Sequence, residues 1–166
     1  MGTWTTTPRT WVAGEVPTAT HFNENVRDFG RAFADAWTSY TPTLAGFTPG
    51  NGVASGAYMR AGKLIHFRGQ FVFGSTSAAA SAFPTLTLPV TALAGAVGGT
   101  LLDAMVYDAS ATTRYNVAAW IDTATTVKLA ITGTSGVYTT FTTTTPFGAT
   151  WTTSDALYVS GTYEAA

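Results

Sequence analysis

The chain contains no cysteine. That excludes disulfides, thiolate metal sites and cysteine nucleophiles. Charge is almost as scarce. Charged residues make up 10% of the 166 positions, against about 25% in an ordinary soluble domain. The net charge is -1, and no run of lysine or arginine exists to neutralise phosphates, so nucleic-acid binding is not expected. Only two histidines are present. A long apolar run is missing too: residues 71–102 carry no charge, yet Pro84, Pro89 and several Gly and Ser interrupt them, unlike a membrane-spanning helix. Residues 1–10 are polar and Thr-rich, unlike a signal peptide.

What fills the space is apolar and β-branched. Hydrophobic residues reach 46%, with ten Phe, seven Tyr and five Trp, enough for a sizeable core. Threonine stands where Lys and Glu would usually stand, which suits a pleated surface and dense packing against other subunits. Residues 1–16 read as an extended arm with Trp4 and Trp11 as apolar anchors. A helix opens near Pro17, with Thr18 or Thr20 as N-cap. Its apolar positions, Phe22, Val26, Phe29, Phe33 and Ala36, are spaced 4, 3, 4, 3. Such a stripe can pack on the chain's own sheet. Its narrow heptad spacing favours self-association as a trimer seam supported by a fused domain.

From Trp37 the period changes to two. Strand-like stretches follow: around Thr41 to Phe47, then 56–60, 63–73, 85–88, 99–108, 114–121, 126–131 and 156–163. Asn51-Gly52 reads as a hairpin turn. In 63–73, Ile65, Phe67, Gly69, Phe71 and Phe73 share one face, and Leu64, His66, Arg68, Gln70 and Val72 the other. About eight short strands divided by turns predict a mainly β fold, a jelly-roll-like β-sandwich over residues 37–166. The arm and the short coiled-coil-like helix occupy 1–36.

Chemistry is thinly represented. His21 and His66 fall in different elements and no H-E-x-x-H pattern occurs, so no metal site is expected. Asp103 and Asp108 point to opposite faces of one strand, while Asp122 and Asp155 read as turn formers. No pair of carboxylates, no G-x-S-x-G elbow and no P-loop is singled out, so neither catalytic residues nor a cofactor is expected. Tyr115, Trp120, Tyr138, Trp151 and Tyr158 are candidates for stacking on sugar rings, and each also suits core or a subunit interface.

One segment carries a resemblance. Pro8-Arg9-Thr10-Trp11-Val12-Ala13-Gly14-Glu15-Val16, then Thr18-Ala19 and Asn25-Val26-Arg27-Asp28, resembles the N-terminal segment of minor tail proteins of actinobacteriophages. The stretch from Trp37 to Leu44, Gly56-Ala57-Tyr58 with Gly62-Lys63, and the ending from Ser160 to Ala166 are similar to their distal β-domain. The resemblance implies a homotrimeric virion component on tail or capsid surface, made in the host cytoplasm and docked to other virion proteins through Trp4 and Trp11. Its β-domain would contact the host and bind cell-wall glycan. In longer relatives a stalk separates the N-terminal segment from the β-domain, whereas here Trp37 follows the helix directly. A capsid decoration protein is the alternative expectation. A cell-wall-degrading virion enzyme is a further one that the missing nucleophile and metal pattern disfavours.

Overall fold

The computed structural model describes residues 12–22, 37–133 and 135–166. Trp4 and Trp11 of the expected arm, and Val26, Phe29, Phe33 and Ala36 of the expected seam, lie outside the described residues. Phe22 is the last described residue of helix α1 (Ala19–Phe22). That helix starts where the sequence indicates. The Thr18 hydroxyl accepts the His21 N–H at 3.3 Å, and His21 Nδ1 accepts the Thr18 N–H at 3.3 Å. The pair satisfies two backbone donors reciprocally, with His in the place a capping box gives to Glu.

The rest is mainly β. Ten strands are described: β1 (Thr38–Tyr40), β2 (Leu44–Ala45), β3 (Val53–Ala61), β4 (Leu64–Val72), β5 (Thr85–Thr87), β6 (Leu101–Asp108), β7 (Thr113–Thr123), β8 (Thr126–Thr132), β9 (Tyr138–Thr139) and β10 (Ala156–Glu164). They form one antiparallel sheet in the order β1-β3-β4-β10-β6-β7-β8-β5-β2, with β9 on β8, and the sheet curls into a half-barrel. The long strands match the alternating stretches of the sequence. The stretch around Thr41 to Phe47 contributes only the two-residue β2, and the additional elements, β1 and β9, are two or three residues long, too short to show a period.

One face of the curl is the core. Ile65, Phe67, Phe71, Val106, Ile121, Val127, Leu129 and Leu157 are almost fully buried. Each alternates with an outward residue, as half-buried strands must. The open side of the curl is filled by loop aromatics rather than by more strand. Phe47 meets Phe73, Phe141 and Trp151 edge-on at 6.0, 5.7 and 5.6 Å, a favoured aromatic geometry. The Trp151 indole N–H donates to the Thr142 and Thr145 carbonyls, which satisfies its only polar atom.

Two turn assignments change. Asn51-Gly52 does not join a hairpin: β2 pairs with β5, while β3 pairs with β1 and β4. The Gly52 N–H closes a turn on Pro49, and Asn51 Oδ1 accepts the Thr76 N–H at 2.9 Å, tying that turn to a distant loop. A Cβ at Gly52 would collide with the Phe71 ring, so glycine is there for close approach. Asp122 lies inside β7, not in the turn, and pairs with Lys128 on β8 at 2.6 Å. Asp155 does organise a turn, and it is buried: its carboxylate accepts the Ala109 and Thr152 N–H groups at 2.9 and 2.6 Å.

Candidate binding surface

The face of the sheet turned away from the core carries the polar residues of the long strands. Antiparallel register places them in rows across the sheet. One row runs Asn116, Met105, Tyr158, Gln70, Ser55 over β7, β6, β10, β4 and β3. The next runs Ala118, Asp103, Ser160, Arg68, Ala57, Ser39 and reaches β1. At the usual strand spacing the longer row spans about 24 Å. Most of these side chains line an open trough of about 950 Å³.

The trough is charge-balanced. Arg68 and Asp103 are its only charged lining residues. Both pair in register with Ser160, which stands between them. The Arg68 guanidinium lies 4.8 Å from the centre of the Trp37 ring, a cation–π contact. Trp37 also meets the His66 ring edge-on at 5.3 Å, and His66 Nδ1 is hydrogen-bonded to Thr162 Oγ1 at 2.9 Å. Gln70 donates to Ser55 at 2.9 Å. Among the described residues, no hydrogen bond or ion pair engages the side chains of Asp103, Asn116, Tyr158 or Ser160.

The five aromatic candidates separate. Trp151 is 7% exposed and belongs to the core, so it offers no ring to a ligand. Tyr115 lies on the core side of β7 and packs on Phe147 at 5.5 Å. Tyr158 stands in the middle of the trough. Trp120 and Tyr138 stack on each other at 5.4 Å with 15° between planes. They form a separate patch beside Leu101, which is 72% exposed and pairs in register with Trp120. Alternation along the last strand, with Leu157, Val159 and Tyr163 on one face, leaves Tyr158 on the other, where it is found. The trough residues Arg68, Gln70, Asp103, Asn116 and Ser160 were not singled out, because register between distant strands makes them neighbours.

Beneath the trough, Gly56 and Gly69 pair in register on the core face and seat the Tyr40 ring. A Cβ at Gly69 would lie 2.9 Å from the Tyr40 hydroxyl, and one at Gly56 would collide with the ring. That hydroxyl is buried and has no hydrogen-bond partner among the described residues. Burial, with the nearby Tyr163 second, pushes its pKa well above the usual phenol range. Tyr163 is pushed up to about 12, again chiefly by burial. Its hydroxyl donates to the Val90 carbonyl at 2.6 Å and accepts the Val90 N–H at 3.2 Å. At the end of β6, the Asp108 carboxyl is held below its usual value by the Ala111 N–H first and the Ser110 hydroxyl second. All three groups hold loops or strands in place.

Among the described residues no group of three His, Asp or Glu could hold a metal ion, and no helix is long and apolar enough to cross a membrane. No protein-family model, curated protein or solved structure matches the chain.

Proposed function

We propose that this chain is a structural protein of a phage virion, a homotrimeric minor tail protein whose β-domain meets the host surface. The arm with Trp4 and Trp11 docks it to the particle. The heptad stripe of Phe22, Val26, Phe29, Phe33 and Ala36 forms the three-fold seam, and the curled sheet with its loop-filled core forms a jelly-roll-like knob. The observation that carries the host-facing part is the trough: a wide, neutral surface on which Asp103, Asn116, Tyr158 and Ser160 have no side-chain partner among the described residues, held on strands rather than on loops. The N-terminal motif supports the virion assignment, and a charge-poor, Thr-rich surface suits dense packing in a particle.

A second reading, capsid decoration, is favoured by a different observation. Val53, Leu64, Leu101 and Val137 are 54–72% exposed, and contact with capsid subunits would cover them. Purified chain separates the two. A tail protein sediments with actinobacterial cells as a trimer by light scattering, and Phe29→Asp dissociates it to monomer. A trimer that binds no host cells, yet restores stability to capsids lacking it, would establish decoration instead.

A further inference from the structure

We infer that the trough between β7 and β1 is a binding site for a neutral polysaccharide, lying across the strands and held between Asp103 and Arg68. The inference rests on the reading of the knob as host-facing and supplies the ligand class and the residues.

The occupant follows from what the trough offers. Its central strands β4, β10 and β6 are paired on both sides, so their backbone groups are consumed in ladders. A peptide added as a strand would find no edge there. The lining offers side chains that both donate and accept: the Asn116 amide, the Ser160 hydroxyl and the Tyr158 phenol, none engaged by a hydrogen bond or ion pair among the described residues. Sugar hydroxyls also donate and accept, and satisfy such groups from either side. One carboxylate and one guanidinium, two strands apart with Ser160 between them, give no net field for a polyanion. Each still provides charge-assisted bonds, the carboxylate to hydroxyls and the guanidinium to a ring or carbonyl oxygen. The half-buried Tyr158 ring beside Met105 supplies an apolar surface for one sugar face. A row of about 24 Å accommodates several linked rings.

The stacked Trp120–Tyr138 pair is the rival location. Each ring already spends one face on the other, and neither residue lines the trough. The pair therefore serves as the control.

The test uses the full chain and wall polysaccharide from actinobacterial cells, stripped of protein and lipid and divided by ion exchange into neutral and acidic fractions. Each fraction is immobilised and binding measured for the unaltered chain, Asp103→Ala, Asn116→Ala and Trp120→Ala. The proposal expects binding to the neutral fraction, weakened about tenfold or more by Asp103→Ala and measurably by Asn116→Ala. Trimer mass and melting temperature stay constant, and Trp120→Ala binds normally. Loss confined to Trp120→Ala, binding to the acidic fraction alone, or a changed oligomeric mass in the trough variants would each overturn the site while leaving a host-facing knob. Binding to whole cells with neither fraction bound would overturn the ligand class. An unaltered chain that binds neither cells nor walls would overturn the host-facing reading itself.

Discussion

Tyr40→Phe is expected to stabilise the protein. The Tyr40 hydroxyl is buried with no hydrogen-bond partner among the described residues, and it lies over Gly69, where an added Cβ would come within 2.9 Å of it. A hydroxyl in that position costs about 1–3 kcal/mol relative to one left in water. Phenylalanine keeps the ring on its glycine seat and its edge contact with Tyr58 at 6.1 Å. The ring as a whole is only partly buried, so the gain lies near the lower end, about 1 kcal/mol. For a chain of 166 residues that raises the melting temperature by about 2–4 °C. Calorimetry or urea unfolding reads the change directly. A coupled substitution sharpens it. Gly69→Ala places a Cβ 2.9 Å from the hydroxyl and should destabilise, and part of that loss should return when the hydroxyl is gone. The double-mutant cycle should show a coupling of about 0.5 kcal/mol or more. A melting temperature that falls in Tyr40→Phe would refute the reasoning, because it would mean that the hydroxyl makes a bond worth more than its burial costs.

Other outcomes follow from the same packing. Phe141→Ala removes the ring that Phe47 and Trp151 lean on and should cost about 3–5 kcal/mol in urea unfolding. Asp155→Ala leaves the amides of Ala109 and Thr152 without their acceptor and should cost about 2–3 kcal/mol. Tyr163 gives a pH signature. Its folded pKa of about 12 lies above the unfolded value of 10.0, so its contribution is complete below pH 10 and is lost as pH rises towards 12. Tyr163→Phe should flatten that alkaline loss in a series of melts, while lowering stability at neutral pH through the two lost bonds to Val90.

Much of the β-domain was legible in the sequence because strand alternation is a local signal. The two faces of β4 were assigned correctly from Ile65 to Val72, as were the opposed positions of Asp103 and Asp108 on β6. What failed was what depends on partners far along the chain. Asn51-Gly52 has the composition of a hairpin, but its backbone is committed to Thr76 and its glycine to Phe71. Asp122 reads as a turn residue because Asp is a common turn former, but β7 runs through it to Thr123, with a register shift between Ile121 and Thr123. The trough is the strongest case. Arg68, Asp103, Asn116 and Ser160 are ordinary outward positions on four separate strands. Only the order β4-β10-β6-β7 makes them one surface. Of the aromatic candidates, Trp120 and Tyr115 fall on opposite faces of β7, a separation that the sequence left open. Trp151 comes from a loop with no period, so nothing local marked it as core.

The central proposal, a virion tail protein, is tested most directly by gold-labelled antibody against the β-domain applied to intact virions. The account predicts label at the distal end of the tail, displaced when soluble wall polysaccharide or host cells are added first. Label confined to the capsid would contradict it.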